Sequence, residues 1–198
     1  MKALIVFGSK RGGTAGLAAM VGEAFQREGW TAEVRDARVQ QPIADADLVV
    51  IGGALYMNRW HRDARDFVRR HHAALASMPV WLFSSGPLDD TARPGDLAAV
   101  SQVQAIAARI EARGHMTFGG RLEPDAKGFI VHSMAKKYAG DWRDPQHVME
   151  WVHQIVHEFV PVEIVIPSMR TAPAAESVPA EVHVPAQRGR SRAPAANA

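Results

Sequence analysis

Residues 1–16 read MKALIVFGSKRGGTAG and form the most informative segment of the sequence. Its apolar run, Ala3–Phe7, is typical of a buried parallel strand and ends at a glycine. The turn that follows, Ser9–Thr14, is rich in glycine and hydroxyl side chains and leads into a helical pattern. Amide groups converge at such a helix start, the helix dipole adds partial positive charge, and Lys10 and Arg11 add formal charge. The stretch therefore predicts a strand–turn–helix unit that binds an anion, and a ligand phosphate is the expected anion.

The spacing within the turn excludes two common phosphate loops. Lysine does not follow the second glycine of the Gly-x-x-x-x-Gly spacing, and the Gly-x-Gly-x-x-Gly fingerprint of dinucleotide folds is absent. What remains is Ser-x-x-Gly-x-Thr, which resembles the FMN phosphate loop of flavodoxins, Ser/Thr-x-Thr-Gly-x-Thr. Arg11 departs from that pattern because it replaces a hydroxyl with a cation. An ordinary β–α turn that binds nothing is the alternative, since such turns also favour Gly and Ser at a helix start.

The composition is that of a globular protein with one good core. The 198 residues are 47% hydrophobic and 22% charged, and no apolar run approaches the roughly 20 residues that span a bilayer. No charged-then-apolar leader follows Met1 and there is no cysteine, so we expect a cytoplasmic location without disulfides or thiolate metal ligands. The net charge of +2 gives no support for nucleic-acid binding.

Strand and helix patterns alternate along residues 1–159. Strands are predicted at Ala3–Phe7, Thr31–Arg35, Leu48–Gly52, Val80–Ser84 and His115–Gly120, and helices at Gly13–Glu28, Asp63–Ala76, Leu97–Ala112 and Pro145–Phe159. Five strands that alternate with helices predict an α/β fold, a doubly wound parallel sheet with helices on both faces. Ligands of such sheets bind beyond the carboxyl ends of the strands, at the point where the strand order reverses.

Residues 160–198 differ in composition from the rest. Half of the 12 prolines lie there, spaced through Ala, Val, Ser and Arg. Because this spacing disfavours helix and sheet interiors, we predict an extended or disordered tail after a domain of residues 1–159.

Two further loops at the expected ligand edge suit a flat aromatic ligand. The loop after Leu48–Gly52 carries Tyr56, Met57 and Trp60, whose flat or polarisable side chains can contact a flavin ring. The loop after Val80–Ser84 carries a Gly-Pro pair whose backbone groups can bond the pyrimidine edge of the ring. The alternatives are that the aromatic residues only cap the sheet edge and that the Gly-Pro pair is an ordinary turn.

These segments together resemble the flavodoxin-like proteins, and most of all the branch of menaquinone-dependent protoporphyrinogen IX dehydrogenases. The resemblance covers residues 1–159 and rests on Leu4–Thr14, Val49–Gly52 with its Tyr/Trp-His loop, Met78-Pro79, and Gly140–Asp144 ahead of Trp151. It implies a five-stranded sheet of order 2-1-3-4-5, a bound FMN and redox chemistry.

The resemblance also implies which residues contact FMN. The implied phosphate contacts are Ser9, Lys10, Arg11, Gly12, Gly13 and Thr14. The implied contacts on one ring face are Ala54, Leu55, Tyr56, Met57 and Asn58. Those implied for the other side and the pyrimidine edge are Ser84, Ser85, Gly86, Pro87 and Leu88.

The region Arg121–Tyr138 departs from that branch. It is shorter than the aromatic, basic insertion of the porphyrinogen-oxidising members, so the resemblance supports the FMN site more strongly than a porphyrinogen substrate. Within it, residues 128–138 place apolar side chains near helical spacing beside Lys136 and Lys137. This segment is a candidate for peripheral contact with a membrane and a quinone, and packing on the sheet is the alternative.

No metal site is predicted, and the histidines have ordinary interpretations. His153 and His157 have i, i+4 spacing, but no third ligand is evident, so a solvated helix face is favoured. His61 lies in the predicted flavin loop, where it either donates to the ring or begins the next helix.

Three functions remain open. The first is an FMN-dependent oxidoreductase that passes reducing equivalents from an organic substrate, such as a porphyrinogen-like one, to a quinone or similar acceptor. The second is a flavodoxin-type electron carrier between partner proteins, and the third is a cofactor-free regulatory or binding module of the same fold. Carriers are usually strongly acidic, whereas residues 1–159 hold 19 Lys/Arg against 18 Asp/Glu, which favours the oxidoreductase.

Overall fold

The structure, a computed structural model, describes residues 1–88, 97–123 and 139–159. Its strands are β1 (Lys2–Gly8), β2 (Thr31–Asp36), β3 (Leu48–Tyr56), β4 (Arg59–Trp60), β5 (Val80–Ser85), β6 (Gly114–Phe118), β7 (Arg121–Leu122) and β8 (Gly140–Asp141). The described helices are α1 (Gly13–Arg27), α2 (Arg62–Leu75), α3 (Ser101–Arg109) and α4 (Pro145–Phe159). None of these helices is long and apolar enough to cross a membrane.

Five parallel strands form the main sheet in the order β2-β1-β3-β5-β6. Counted as the five main strands, this is the predicted order 2-1-3-4-5, and the α/β fold class is confirmed. The chain moves from β1 outward to β2 and then returns to the other side of β1 for β3. The order therefore reverses between β1 and β3, which places the loops after these two strands at the ligand-binding edge.

Each face of the sheet carries its own hydrophobic core. Along β1, Ala3 and Ile5 pack with α1 and α4, whereas Leu4 and Val6 pack with α2 and α3. All four side chains are buried, which explains why the strand reads as a continuous apolar run. The helices consequently cover both faces of the sheet.

We predicted that a loop begins directly after Gly52, and this is wrong, because the strand does not end there. β3 continues to Tyr56 and turns back into β4, which pairs with it in antiparallel register. The two turn residues, Met57 and Asn58, have φ angles of 48° and 59°, the backbone of a tight hairpin turn. Such turns usually contain glycine, so a turn made of Met and Asn gives only a weak sequence signal.

Smaller differences occur at element ends. The helix predicted at Leu97–Ala112 is shorter, from Ser101 to Arg109, and the strand predicted at His115–Gly120 ends at Phe118. The short β7 and β8 pair antiparallel and were not predicted, because two-residue strands have no periodicity. The candidate membrane segment 128–138 and the tail 160–198 lie outside the described residues.

Candidate functional site

A cavity of about 730 Å³ opens at the carboxyl edge of the sheet. This volume lies within the range of about 300–1,000 Å³ that is usual for small-molecule sites. Its walls are the Ser9–Thr14 turn (hereafter the phosphate loop), the β3–β4 hairpin, the start of α2, and the segments after β5 and β6. The cavity therefore lies where the reversal of strand order places a ligand.

Twelve of the sixteen residues proposed as FMN contacts line this cavity. The remaining four are Gly12, Asn58, Ser84 and Pro87. Asn58 is exposed in the hairpin turn. The Gly12 amide donates to Ser9 Oγ at 3.1 Å, so these two groups satisfy each other within the loop.

The segment after β5 differs from expectation because its backbone is already bonded. The Gly86 amide donates to the Phe118 carbonyl at 3.0 Å, and the Pro87 carbonyl accepts from the Gly120 amide at 2.8 Å. The Gly86 amide and the Pro87 carbonyl, which were predicted to bond a pyrimidine edge, thus already have partners in the segment after β6. Ser85, Gly86 and Leu88 still form part of the cavity wall.

The phosphate loop has the features of an anion site. Helix α1 has Gly12 as its N-cap, with φ 83°, and within the described residues no side chain caps it. Its first amides, from Gly13 to Ala15, lack acceptors within the helix. Thr14 is 1% exposed, and its Oγ1 has no hydrogen-bond partner among the described residues. A buried hydroxyl without a partner costs about 1–3 kcal/mol, so the donors here fit the oxygens of a phosphate.

The cavity lining is strongly basic. The basic side chains that line it are Lys10, Arg11, Arg59, Arg62, Arg65 and Arg121. In the part of the chain that the structure describes, no Asp or Glu lines it. Some of this charge is balanced outside the cavity, because Arg62 pairs with Asp66 at 3.3 Å and Arg121 pairs with Glu123. A lining that is basic in its described part favours an anionic ligand.

Sequence reasoning missed Arg59, Arg62, Arg65 and Arg121. One signal was available, because Arg62 and Arg65 are three residues apart at the start of α2. Two cations in a first turn oppose the positive end of the helix dipole, an arrangement that an anion nearby would relieve. Arg59 and Arg121 lie on two-residue strands whose position only the tertiary structure shows.

The hairpin wall is held by a buried polar network around Trp60. The Trp60 indole Nε1 donates to Ser84 Oγ at 2.8 Å, and Ser84 Oγ lies 2.9 Å from His115 Nε2. Burial lowers the pKa of His115 to about 4, so its ring is neutral at pH 7. The Trp60 amide also donates to Gln102 Oε1 at 3.0 Å. A Cβ added at Gly53 would lie 2.7 Å from the indole ring, so glycine is required there.

The hairpin tip and His61 stand at the mouth of the cavity. Tyr56 is 41% exposed and Met57 is 97% exposed. His61 is the N-cap of α2, and its Nδ1 accepts from the Asp63 amide at 3.4 Å. His61 thus begins the helix, as one of the two interpretations predicted, and it also lines the cavity.

Comparisons with known proteins agree with this geometry. The model of the flavodoxin domain family matches residues 4–139. Protoporphyrinogen IX dehydrogenase (quinone) of Escherichia coli is 31% identical over 86 residues, which are 42% of this chain and 48% of that protein. The chain therefore spans about half the length of the curated relatives it matches.

Solved flavodoxins share the fold. A flavodoxin from Pseudomonas aeruginosa superimposes with a TM-score of 0.54 at 12% identity, and one from Streptococcus pneumoniae with 0.52 at 15%. Each comparison covers 80% of this chain and 99% of the other. The family match extends over more than half of the chain and includes the phosphate loop. The chain accordingly belongs to the flavodoxin family, and membership implies a flavin cofactor with oxidoreductase or electron-transfer chemistry.

Proposed function

We propose that this protein is an FMN-dependent oxidoreductase that passes two electrons from an organic substrate to a quinone-type acceptor. The observation that carries the proposal is the basic cavity lining, which contains no described carboxylate. Positive charge around a bound flavin lowers the free energy of the negatively charged, fully reduced ring. The lining therefore favours complete two-electron reduction over the single-electron steps of a carrier.

The phosphate loop supports FMN as the flavin. The Thr14 hydroxyl and the first amides of α1 would hold the phosphate, beside Lys10 and Arg11. The hairpin residues Ala54–Met57 would border one side of the ring, with Ser85, Gly86 and Leu88 on the other. When bound, FMN supplies the hydride-accepting chemistry, and the protein orients the ring and sets the charge around it.

The quinone assignment draws support from the Escherichia coli relative, whose name specifies a quinone. Tyr56 and Met57 at the cavity mouth offer exposed aromatic and apolar surface against which a flat acceptor can lie. A porphyrinogen-like compound, which that relative's name also specifies, is the proposed class of organic substrate. The nearly equal numbers of acidic and basic residues in residues 1–159 count against a carrier that docks through an acidic surface.

A visible spectrum and a redox titration of the purified protein test the proposal. We expect two flavin bands, release of FMN on denaturation, and reduction in a single two-electron step. The reduced protein should transfer electrons to a menaquinone analogue faster than to a one-electron protein acceptor. A colourless protein that does not bind added FMN would support the cofactor-free module. Two separate one-electron steps with fast transfer to a protein acceptor would support the carrier.

Substitution of Thr14 by valine should weaken FMN binding at least tenfold. The change removes the buried hydroxyl that lacks a partner but keeps the side-chain shape, and a hydrogen bond to a charged group contributes roughly 1.5–3 kcal/mol. Fluorescence titration of the apoprotein with FMN and with phosphate-free riboflavin measures the effect. Thr31→Val, at the exposed start of β2, is the matched control and should change neither affinity. An equal loss of affinity for both flavins would show that the loop does not bind the phosphate.

A further inference from the structure

Arg65 is a cavity-lining residue that forms no ion pair with a carboxylate in the part of the chain that the structure describes. Its side chain lines the cavity, and its Nε is buried without a hydrogen-bond partner among the described residues. A guanidinium carries five donors, and a buried donor without an acceptor is costly. An acceptor inside the cavity would remove that cost.

The neighbouring carboxylates are engaged elsewhere. Asp66 accepts from Arg62 at 3.3 Å and from Arg69 at 2.8 Å. Asp63 Oδ2 lies 3.6 Å from His61 Nδ1 and 3.9 Å from Arg38 Nε. Over residues 1–88, 97–123 and 139–159, no ion pair joins any carboxylate to Arg65. The charge of Arg65 is therefore available for a ligand.

The packing of α2 places Arg65 beside the phosphate loop. A Cβ added at Gly8 would lie 2.6 Å from the Ala64 amide nitrogen and 2.9 Å from the Ala64 Cβ. The first turn of α2 therefore stands directly on the end of β1, where the phosphate loop begins. Arg65 follows Ala64, and it lies one helical turn farther from the hairpin than Arg62. Arg62 differs because its side chain is 80% exposed and paired with Asp66.

We infer that Arg65 is a second anchor for the cofactor phosphate, and that it sets the preference of this chain for a phosphorylated flavin. The inference rests on the proposed binding of FMN. The guanidinium fork matches two oxygens of a phosphate dianion, and it supplies a charge from α2 that the amides of α1 lack. Two helices on opposite faces of the sheet thus hold one phosphate.

Arg65→Gln tests this role, with Arg69→Gln as the matched control on the same helix. Arg65→Gln should raise the Kd for FMN roughly 30-fold and the Kd for riboflavin less than about threefold, because only FMN carries the charged acceptor. Arg69→Gln should change both constants less than about threefold, since Arg69 is 70% exposed, pairs with Asp66 and lies outside the cavity lining. The FMN affinity of the wild type should also fall more steeply with ionic strength than that of Arg65→Gln.

A second readout separates this role from a structural one. The Arg65→Gln apoprotein should melt at the same temperature as the wild type or higher, because Nε has no described partner to lose. If that variant fails to fold, Arg65→Lys provides the comparison, since it keeps the charge but loses the fork and should bind FMN with intermediate affinity.

Each outcome is informative. Equal losses for FMN and riboflavin, or no loss for either, would overturn the role of Arg65 while leaving FMN binding in place. A wild-type protein that binds no flavin would overturn the proposed function, and this inference with it.

Discussion

Replacement of Thr14 by aspartate is expected to lower the affinity for FMN by about a thousandfold while the apoprotein stays folded. Thr14 is 1% exposed, and its unpartnered Oγ1 lines the cavity at the first turn of α1. A carboxylate at this place meets the phosphate at short range. Two like unit charges about 4 Å apart repel by about 4 kcal/mol at an effective dielectric constant of 20, which is about three powers of ten in Kd.

Thr14→Asn is the matched control for this experiment. The asparagine side chain has nearly the shape of aspartate but no charge. The affinity of Thr14→Asn for FMN should therefore fall about tenfold, as expected for Thr14→Val. Titration with FMN and riboflavin measures the affinities, and circular dichroism checks the fold. The aspartate variant should stay folded because a carboxylate at a helix N-terminus interacts favourably with the dipole. Affinities for FMN within tenfold of each other in the two variants would place the phosphate elsewhere.

Trp60→Ala should have the largest effect on stability. Trp60 is 1% exposed, and its indole Nε1 donates a hydrogen bond to Ser84 Oγ. Loss of a buried aromatic side chain costs about 3–5 kcal/mol. Because the total free energy of unfolding of a small domain is only about 5–15 kcal/mol, the variant should lose a large part of it. Urea denaturation of the apoprotein measures this change.

Trp60→Phe is the corresponding control. It keeps most of the ring volume but loses the bond to Ser84, and Ser84 retains its contact with His115. The expected cost of the lost hydrogen bond is about 1 kcal/mol. If Trp60→Ala were no less stable than Trp60→Phe, packing under the hairpin would not hold this wall of the cavity.

The fold was predictable because its signals are local. The runs Ala3–Phe7 and Leu48–Gly52 are buried on both faces of the sheet. Such strands are apolar at every position, so their sequence indicates the burial directly. The phosphate loop was predictable for the same reason, since its strand, turn and helix start are contiguous in the chain. The five main strands and the four described helices differed from the prediction only at their ends.

Side-chain direction and distant contacts were not predictable. Ser84 shares the strand face of Leu82, so its hydroxyl points to the α2 side and bonds Trp60 rather than a ligand. Arg65 reaches the cavity only because α2 stands on Gly8, a contact between residues far apart in sequence. The hairpin was missed because its turn contains no glycine. Each of these features depends on tertiary packing, which cannot be predicted from a short segment of sequence.

The two hydrophobic cores on opposite faces of the sheet have a consequence for cooperativity. The phosphate loop leads into α1 on one face, whereas the hairpin packs in the core of the other face, where α2 carries Arg65. A ligand held by both layers acts as a cross-link between them, so local opening of either layer must first release it. Its binding free energy then opposes partial unfolding of α1 and α2 alike. In the apoprotein each layer can open at the lower cost of its own contacts, so the flavin would make the two faces unfold as one unit.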